Sequence, residues 1–355
     1  MLVRPDVFDN EHLPQHLLHR EAATTQLIEA LDPQGPRRNA LLSGASGVGK
    51  TTLARICLRD LAAERGVWTA NVRSIGTAAG TILRSVAEQL PNGPSNVPTT
   101  QPVADVRHQL RDALEEPTAV VLDEADDVAL EAVDTLLGVQ HVTVAVICHD
   151  PVRWRSRAAK QGGLEDRFGV EVQLDRFGVN ELADILERRA EAGLRNGVGP
   201  SGDVRRKHLE RIADDVAGVA RDGIQTVRAA AELADERGRR RICDADVDDG
   251  VERAQRRIRQ ANLDSLPFHH QVLYALLHRE GPLKATALHE RYDEIADSLY
   301  RGVDVTPISR RARRNKLAKL RDYDLAAYDG PDEHRRYKVV DKEASPLFEW
   351  QSQTQ

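Results

Sequence analysis

Short apolar runs and helix-length amphipathic segments alternate through the first half of the chain. The first run, Ala40, Leu41 and Leu42, leads into a glycine-rich turn and a helical stretch from Lys50 to about Arg65. Further runs recur at Val67 to Val72, Ala119 to Leu122, Val142 to Cys148 and Val170 to Leu174. This is the rhythm of parallel β-α units, and it predicts a five-stranded α/β domain. Pro91 to Gln101 (PNGPSNVPTTQ) shows neither period and reads as a proline-rich loop inside that domain. After Phe177 the strand signals stop. Segments 179–195, 205–217, 221–237 and 244–261 all read as helices rich in Ala, Leu, Glu and Arg, which predicts a helical lid. From Leu266 the pattern predicts helices at about 267–279, 284–299 and 307–323. Two short β-like runs follow, Leu325 to Tyr328 and Arg335 to Val340, around Asp329-Gly330-Pro331. Three helices and a hairpin are the plan of a winged helix. The predicted organisation is therefore an α/β domain at 1–177, a lid at 178–262, a winged helix at 263–342 and a tail at 343–355.

Composition narrows the picture. With 355 residues the chain is long enough for two or three domains, and 41% hydrophobic with 30% charged residues suits a soluble globular protein. Fifty Lys+Arg against 56 Asp+Glu leave a net charge of −6, so nucleic-acid contact has to come from a local patch. Cys57, Cys148 and Cys243 are odd in number, with no C-x-x-C pairing, and predict neither a disulfide framework nor a zinc finger. The N-terminal MLVRPDVFDNEHLPQ has no apolar signal core, and no segment reaches the roughly 20 apolar residues of a membrane span, so a cytoplasmic location is expected.

Gly44-Ala45-Ser46-Gly47-Val48-Gly49-Lys50-Thr51, followed by Thr52, fits G-x-x-x-x-G-K-[ST] between a predicted strand and a predicted helix. The glycines let backbone N–H groups turn inward around phosphates at a positive helix end. Lys50 would reach the β- and γ-phosphates, and the Thr51 hydroxyl would ligate Mg²⁺. ATP or ADP is the expected ligand. Ala119-Val120-Val121-Leu122 ends in Asp123-Glu124, where a second strand would present a magnesium-associated Asp and a water-polarising Glu. The separation from Lys50 suits two parallel strands lying side by side. Asp123-Glu124-Ala125-Asp126 also spells a helicase signature, but a second motor core is not found.

Ser309 to Arg321 holds seven cations and no acid. At 100° per residue, Ala312, Leu317, Leu320 and Tyr323 share one side, while Arg310, Arg311, Arg314 and Arg321 gather on another. Thr306-Pro307 supplies an N-cap and a first-turn proline. The helix reads as a recognition helix for duplex DNA, flanked by a wing at 329–336 with Arg335, Arg336 and Lys338.

With these residues in place, the chain resembles the AAA+ ATPases, and among them the archaeal origin-recognition and cell-division-cycle type of replication initiator, over about residues 7–340. The resemblance runs from Val7-Phe8-Asp9, Leu13-Pro14 and His19-Arg20-Glu21 through Leu122 to Asp126, then Glu181-Leu182, Ile185-Leu186, Arg189, Leu266-Pro267 and His269. It implies that Leu13 and Pro14 flank the adenine. It also implies that Arg167 is an arginine finger reaching a neighbouring subunit, and that Arg221, in Gly218-Val219-Ala220-Arg221, is a lid sensor. Arg153, Arg155 and Arg157 are the nearest rivals of Arg167. In place of the family's polar Asn after the fourth strand the chain reads Cys148-His149-Asp150, which puts His149 at the first sensor position and predicts altered hydrolysis. The proline-rich loop lies near the family's DNA-contacting insertion but holds no Lys or Arg. The function implied is ATP-switched recognition of a replication origin, on a nucleoid-associated protein that supports loading of a replicative helicase and self-associates through Arg167. The competing readings are a P-loop winged-helix transcription regulator and a ring-forming DNA-remodelling motor.

Overall fold

The computed structural model describes residues 1–36, 38–93, 103–114, 116–303, 305–330 and 335–347. Two compact units are present, Met1–Val247 and Asp248–Gln355.

The first unit is built on a parallel sheet of β1 (Ala40–Gly44), β2 (Trp68–Arg73), β3 (Thr118–Asp123), β4 (Val142–Cys148) and β5 (Val170–Leu174), in the order β2-β3-β4-β1-β5. The residue patterns explain the placement. Every residue of β4 is buried, as an interior strand covered on both faces requires. At the edge, β5 alternates, with Val170, Val172 and Leu174 inward and Glu171 and Gln173 outward. The five strands are those the apolar runs predict. One expectation is corrected: β1 and β3 are not neighbours, because β4 lies between them, pairing Leu41 with Val146 and Val121 with Ala145. Most of the proline-rich stretch at 91–101 lies outside the described residues.

Helices α1 (Glu21–Leu31), α2 (Lys50–Arg65), α3 (Ala79–Gln89), α4 (Val103–Ala113), α5 (Leu130–Leu137) and α6 (Pro151–Ala159) accompany the sheet. Two apolar clusters form around it, one including Leu42, Leu53 and Ile147 and the other Leu83, Val120 and Trp154. A third gathers α7 (Val179–Gly193), α8 (Arg206–Asp215) and α9 (Ala220–Glu236) around Leu182, Leu209 and Val227, and takes in Val7 and Phe8 from the N-terminal segment. A Cβ at Gly193 would sit 2.2 Å from the Phe8 ring, so the absence of a side chain there is what seats the segment.

The second unit contains most of α10 (Asp244–Asp264), then α11 (Phe268–Glu280), α12 (Ala285–Leu299) and α13 (Arg310–Asp322). Its antiparallel sheet runs β6-β8-β7, from β6 (Leu283–Lys284), β7 (Ala326–Asp329) and β8 (Arg336–Val339). Strand β6, two residues long, is too short to leave a periodic signal in the sequence. The start of α13 differs from expectation. Ser309 is the N-cap, its hydroxyl accepting from the Ala312 amide at 3.3 Å, and Thr306-Pro307 precede the helix. A Ser directly before a helical run supplies the acceptor that the first-turn amides lack. Residues 331–334 of the expected wing lie outside the described residues.

Candidate functional site

The C-terminal edge of the parallel sheet collects the candidate nucleotide residues. β1 ends at Gly44, whose φ of 146° is open to glycine, and a Cβ there would lie 2.4 Å from the Leu174 carbonyl oxygen. The turn continues through half-buried Ala45, Ser46 and Gly47 and buried Val48 to Gly49, which holds φ 97° as the N-cap of α2. Lys50 is 7% exposed, and its Nζ donates to the carbonyls of Gly44 at 2.8 Å and Ala45 at 2.7 Å, which arches the ammonium over the turn. Thr51 and Thr52 follow in the first turn of α2.

Across the edge, the Thr51 hydroxyl donates to Asp123 Oδ2 at 2.6 Å, while Asp123 Oδ1 accepts from the Glu124 amide at 2.8 Å. Burial pushes the Asp123 carboxyl above its ordinary range, reinforced by the charge of Glu124 and opposed by the Thr51 hydrogen bond and Lys50. Glu124 adopts a left-handed φ of 54°, an unusual conformation for a non-glycine residue. His149, at the end of the intervening β4, lies beside them. Ligand atoms of Glu124, Asp126 and His149 come within 4.8 Å of one another.

Other candidates are placed around this cradle. Leu13 and Pro14 are half-buried, and Arg59 of α2 tethers their segment through the carbonyls of Pro14 at 3.1 Å and Gln15 at 2.7 Å. Arg221, in the first turn of α9, meets the glycine-rich turn directly: its amide donates to the Gly47 carbonyl at 3.1 Å. A Cβ on Gly47 would meet Val219 Cγ1 at 2.6 Å, so this glycine also makes room for the N-cap of α9. Gly218, at φ 76°, allows that approach, because a Cβ there would clash with the Phe177 carbonyl at 2.2 Å. This second duty of Gly47 is invisible to motif reading, since Val219 is remote in sequence.

Arg167 stands apart from the cradle. It is exposed and donates to Asp134 at 3.2 Å and to the Leu137 carbonyl, while buried Phe168 packs edge-on against Trp154 with ring centroids 4.8 Å apart. The rival arginines also have partners within the chain. Arg153 donates to Asp127 at 2.9 Å, Arg155 to Glu171 at 2.9 Å, and Arg157 to the carbonyls of Asp126 and Val128.

In the second unit, α13 separates its cations. Arg310, Arg311, Arg314 and Arg321 are exposed, while Leu317, Leu320 and Tyr323 are buried. Arg313 and Lys319 are buried as well, at 5% and 7% exposure. Arg313 donates to the Ile308 carbonyl at 2.9 Å, to the His289 carbonyl at 3.1 Å and to Asp293, with its guanidinium 3.9 Å from the Tyr292 ring centroid. Lys319 lies 4.7 Å from the Tyr323 centroid. Two of the seven cations are thus structural, and the sequence does not distinguish them from the rest. On the hairpin, Arg335 and Arg321 both lie over the Tyr328 ring, at 4.4 and 4.1 Å, while Lys338 pairs with Asp329 at 2.9 Å. Arg336 is exposed, opposite Asp329 in the ladder.

Residues 16–147 match the family described as AAA ATPase domain. The chain is 27% identical over 343 residues to the ORC1-type DNA replication protein 9 of Halobacterium salinarum, covering 94% of this chain and 92% of that protein. A second protein of that organism, ORC1-type DNA replication protein 1, is 26% identical over 82% of this chain and 95% of its own length. Among solved structures, the Aeropyrum pernix ORC1 protein in complex with DNA superposes with a TM-score of 0.68 at 23% identity, over 97% of this chain and 95% of that one. The ORC2 protein of the same organism, in ADPNP–ADP complexes, gives 0.61 at 23% identity over 96% and 94%. The structural likenesses establish a shared fold. No described helix is long and apolar enough to cross a membrane.

Proposed function

Because this chain carries an AAA ATPase domain and is similar along nearly its whole length to ORC1-type DNA replication proteins, we propose that it is an ATP-dependent, DNA-binding replication initiator. The observation that carries the reading is the 2.6 Å contact between Thr51, in the first turn of the helix that follows β1, and Asp123, at the end of β3, although β1 and β3 are not neighbours. The donor set is a hydroxyl and a carboxylate whose ionisation burial opposes. Hard oxygens of this kind fit Mg²⁺, and a divalent cation beside Asp123 would restore its charge. With Mg²⁺ bound to the nucleotide, charge on the phosphates is neutralised.

In this reading the amides of residues 44–49 and the Lys50 ammonium hold the triphosphate, Glu124 polarises the attacking water and His149 acts as the first sensor. Arg221 couples the γ-phosphate to the lid. Its amide already docks on Gly47, so a nucleotide held by that turn acts on a loop that α9 touches. Hydrolysis is slow and resets the switch. Arg167, exposed and held by two acceptors within its own chain, is the finger offered to a neighbouring copy. We assign residues 1–177 to the nucleotide domain, 178–262 to the lid and 263–342 to a winged helix. In that last domain, Arg310, Arg311, Arg314 and Arg321 face origin DNA, assisted by Arg335 and Arg336. A replicative helicase is the downstream partner.

Calorimetry with ATP and Mg²⁺ tests the core of this reading. Uptake by the folded protein that is lost in Lys50→Ala is expected, and no uptake by either overturns it. Genome-wide footprinting tests the biological role. Occupancy beside replication starts is expected, whereas confinement to promoters would replace the initiator with a transcription regulator.

A further inference from the structure

His149 is not an isolated substitution at the sensor position, because Asp126 grips it in two ways. Asp126 Oδ1 accepts from the His149 amide at 2.7 Å and from the Asp150 amide at 3.3 Å, and Oδ2 lies 2.9 Å from His149 Nδ1. Both side chains are mostly buried, at 17% and 16% exposure. The short turn that carries Asp126 is itself fixed, since Arg157 donates to the Asp126 and Val128 carbonyls and Arg153 to Asp127. A carboxylate accepts hydrogen bonds only, so its contact to Nδ1 places the ring proton on that nitrogen. Nε2 then carries the lone pair, and one ligand atom from each of Glu124, Asp126 and His149 lies within 4.8 Å of the others.

We propose that Asp126 is a positioning residue, which holds the imidazole of His149 so that Nε2 accepts a hydrogen bond from the water attacking the γ-phosphate. The proposal rests on the ATP-hydrolysing reading above. In the step it serves, the water oxygen bonds to the γ-phosphorus and the bond from that phosphorus to the bridging oxygen breaks. The electron pair leaves with ADP, and the water proton passes to Glu124. The charged groups around the ring are Asp126 on its turn, Glu124 at the end of β3, Asp150 before α6, and Arg153 and Arg157 on α6. Lys50 of α2 and Glu171 of β5 add their fields at adjacent Cys148.

The experiment measures kcat and calorimetric ATP binding for the full-length protein, Asp126→Asn, Asp126→Glu and His149→Asn. Asp126→Asn is expected to lower kcat about tenfold with ATP binding kept, since an amide no longer fixes the ring proton on Nδ1. Asp126→Glu, which keeps the acceptor, is expected to restore part of the turnover, and His149→Asn to lower kcat likewise with ATP binding kept. Wild-type kcat in Asp126→Asn or in His149→Asn overturns the proposal. Nitrogen NMR of the nucleotide-free protein supplies a second readout: Nδ1–H in the unmodified protein is expected, and an Nε2–H tautomer overturns the pairing. If that signature is present but ATP neither binds nor turns over, the functional reading above fails while the Asp126–His149 pairing stands. If ATP turns over and the signature is absent, the reverse holds. Should Asp126→Asn not fold, His149→Asn and the tautomer of the unmodified protein still decide.

Discussion

The nucleotide cradle and the basic helix α13 were both expected from the sequence, the first from a motif and the second from a density of charge. They survive folding differently. In the cradle, Lys50, Thr51, Asp123 and Glu124 come to one sheet edge, linked by contacts of 2.6 to 2.8 Å. In α13, a run of cations is divided: Arg313 and Lys319 turn inward onto tyrosines, and Arg310, Arg311, Arg314 and Arg321 remain outside. A motif specifies backbone geometry and chemistry at fixed positions, whereas composition specifies only a surplus that packing then apportions.

The sharpest test of that division is to neutralise the outer set. Replacing Arg310, Arg314 and Arg321 by Gln is expected to lower DNA affinity several-hundred-fold, on the order of 3 to 4 kcal/mol near 0.1 M salt. The log–log salt slope should fall by about three. Fluorescence anisotropy across a salt series reads both, and an unchanged slope would remove α13 from the DNA surface. On the cradle side, Lys50→Ala is expected to weaken ATP about 100-fold by removing charge-assisted contacts, as measured by calorimetry on the folded variant.

Next in size is Arg313→Ala. It strips the His289 and Ile308 carbonyls of a donor and Tyr292 of its stacked cation, so a loss of about 3 kcal/mol in stability is expected by chemical denaturation. A variant that melts normally yet loses DNA binding would place Arg313 with the outer set instead. The smallest effect is a pH dependence of the same unit. Burial foremost, then the charges of Lys316 and Lys319, push His270 down to about 3, and burial lowers His269 and His289 too. The unfolded chain therefore takes up a proton first. Stability is full above the ordinary value of 6.5 and falls with pH below it, by about 1.4 kcal/mol per unit for His270 alone. Thermal melts at pH 7 and pH 5 should differ by about 2 kcal/mol, and His270→Leu should flatten the difference.

Much of this molecule is legible before folding because its signals are local. Continuous apolar runs announce buried parallel strands, and the glycine spacing of residues 44–49 announces a phosphate-binding turn. The departures are non-local. β4 separates β1 from β3, and sheet order leaves no trace in any one segment. Ser309 rather than Thr306 caps α13, although two acceptable caps lie three residues apart in the sequence. Asp126 reads as part of a signature, yet its contact with His149 joins residues 23 apart.

The sequence by itself determined the strand–turn–helix of the glycine-rich motif, the acid pair at a strand end, the helical segments after Phe177 and the basic face of α13. Those depend on side-chain period and backbone freedom within a few residues. Tertiary structure alone decided that Val219 needs Gly47 to have no side chain, that Arg313 is a strut, and that Asp126 sets the orientation of His149. Such contacts arise only when distant segments compete for the same space and the same hydrogen-bond partners.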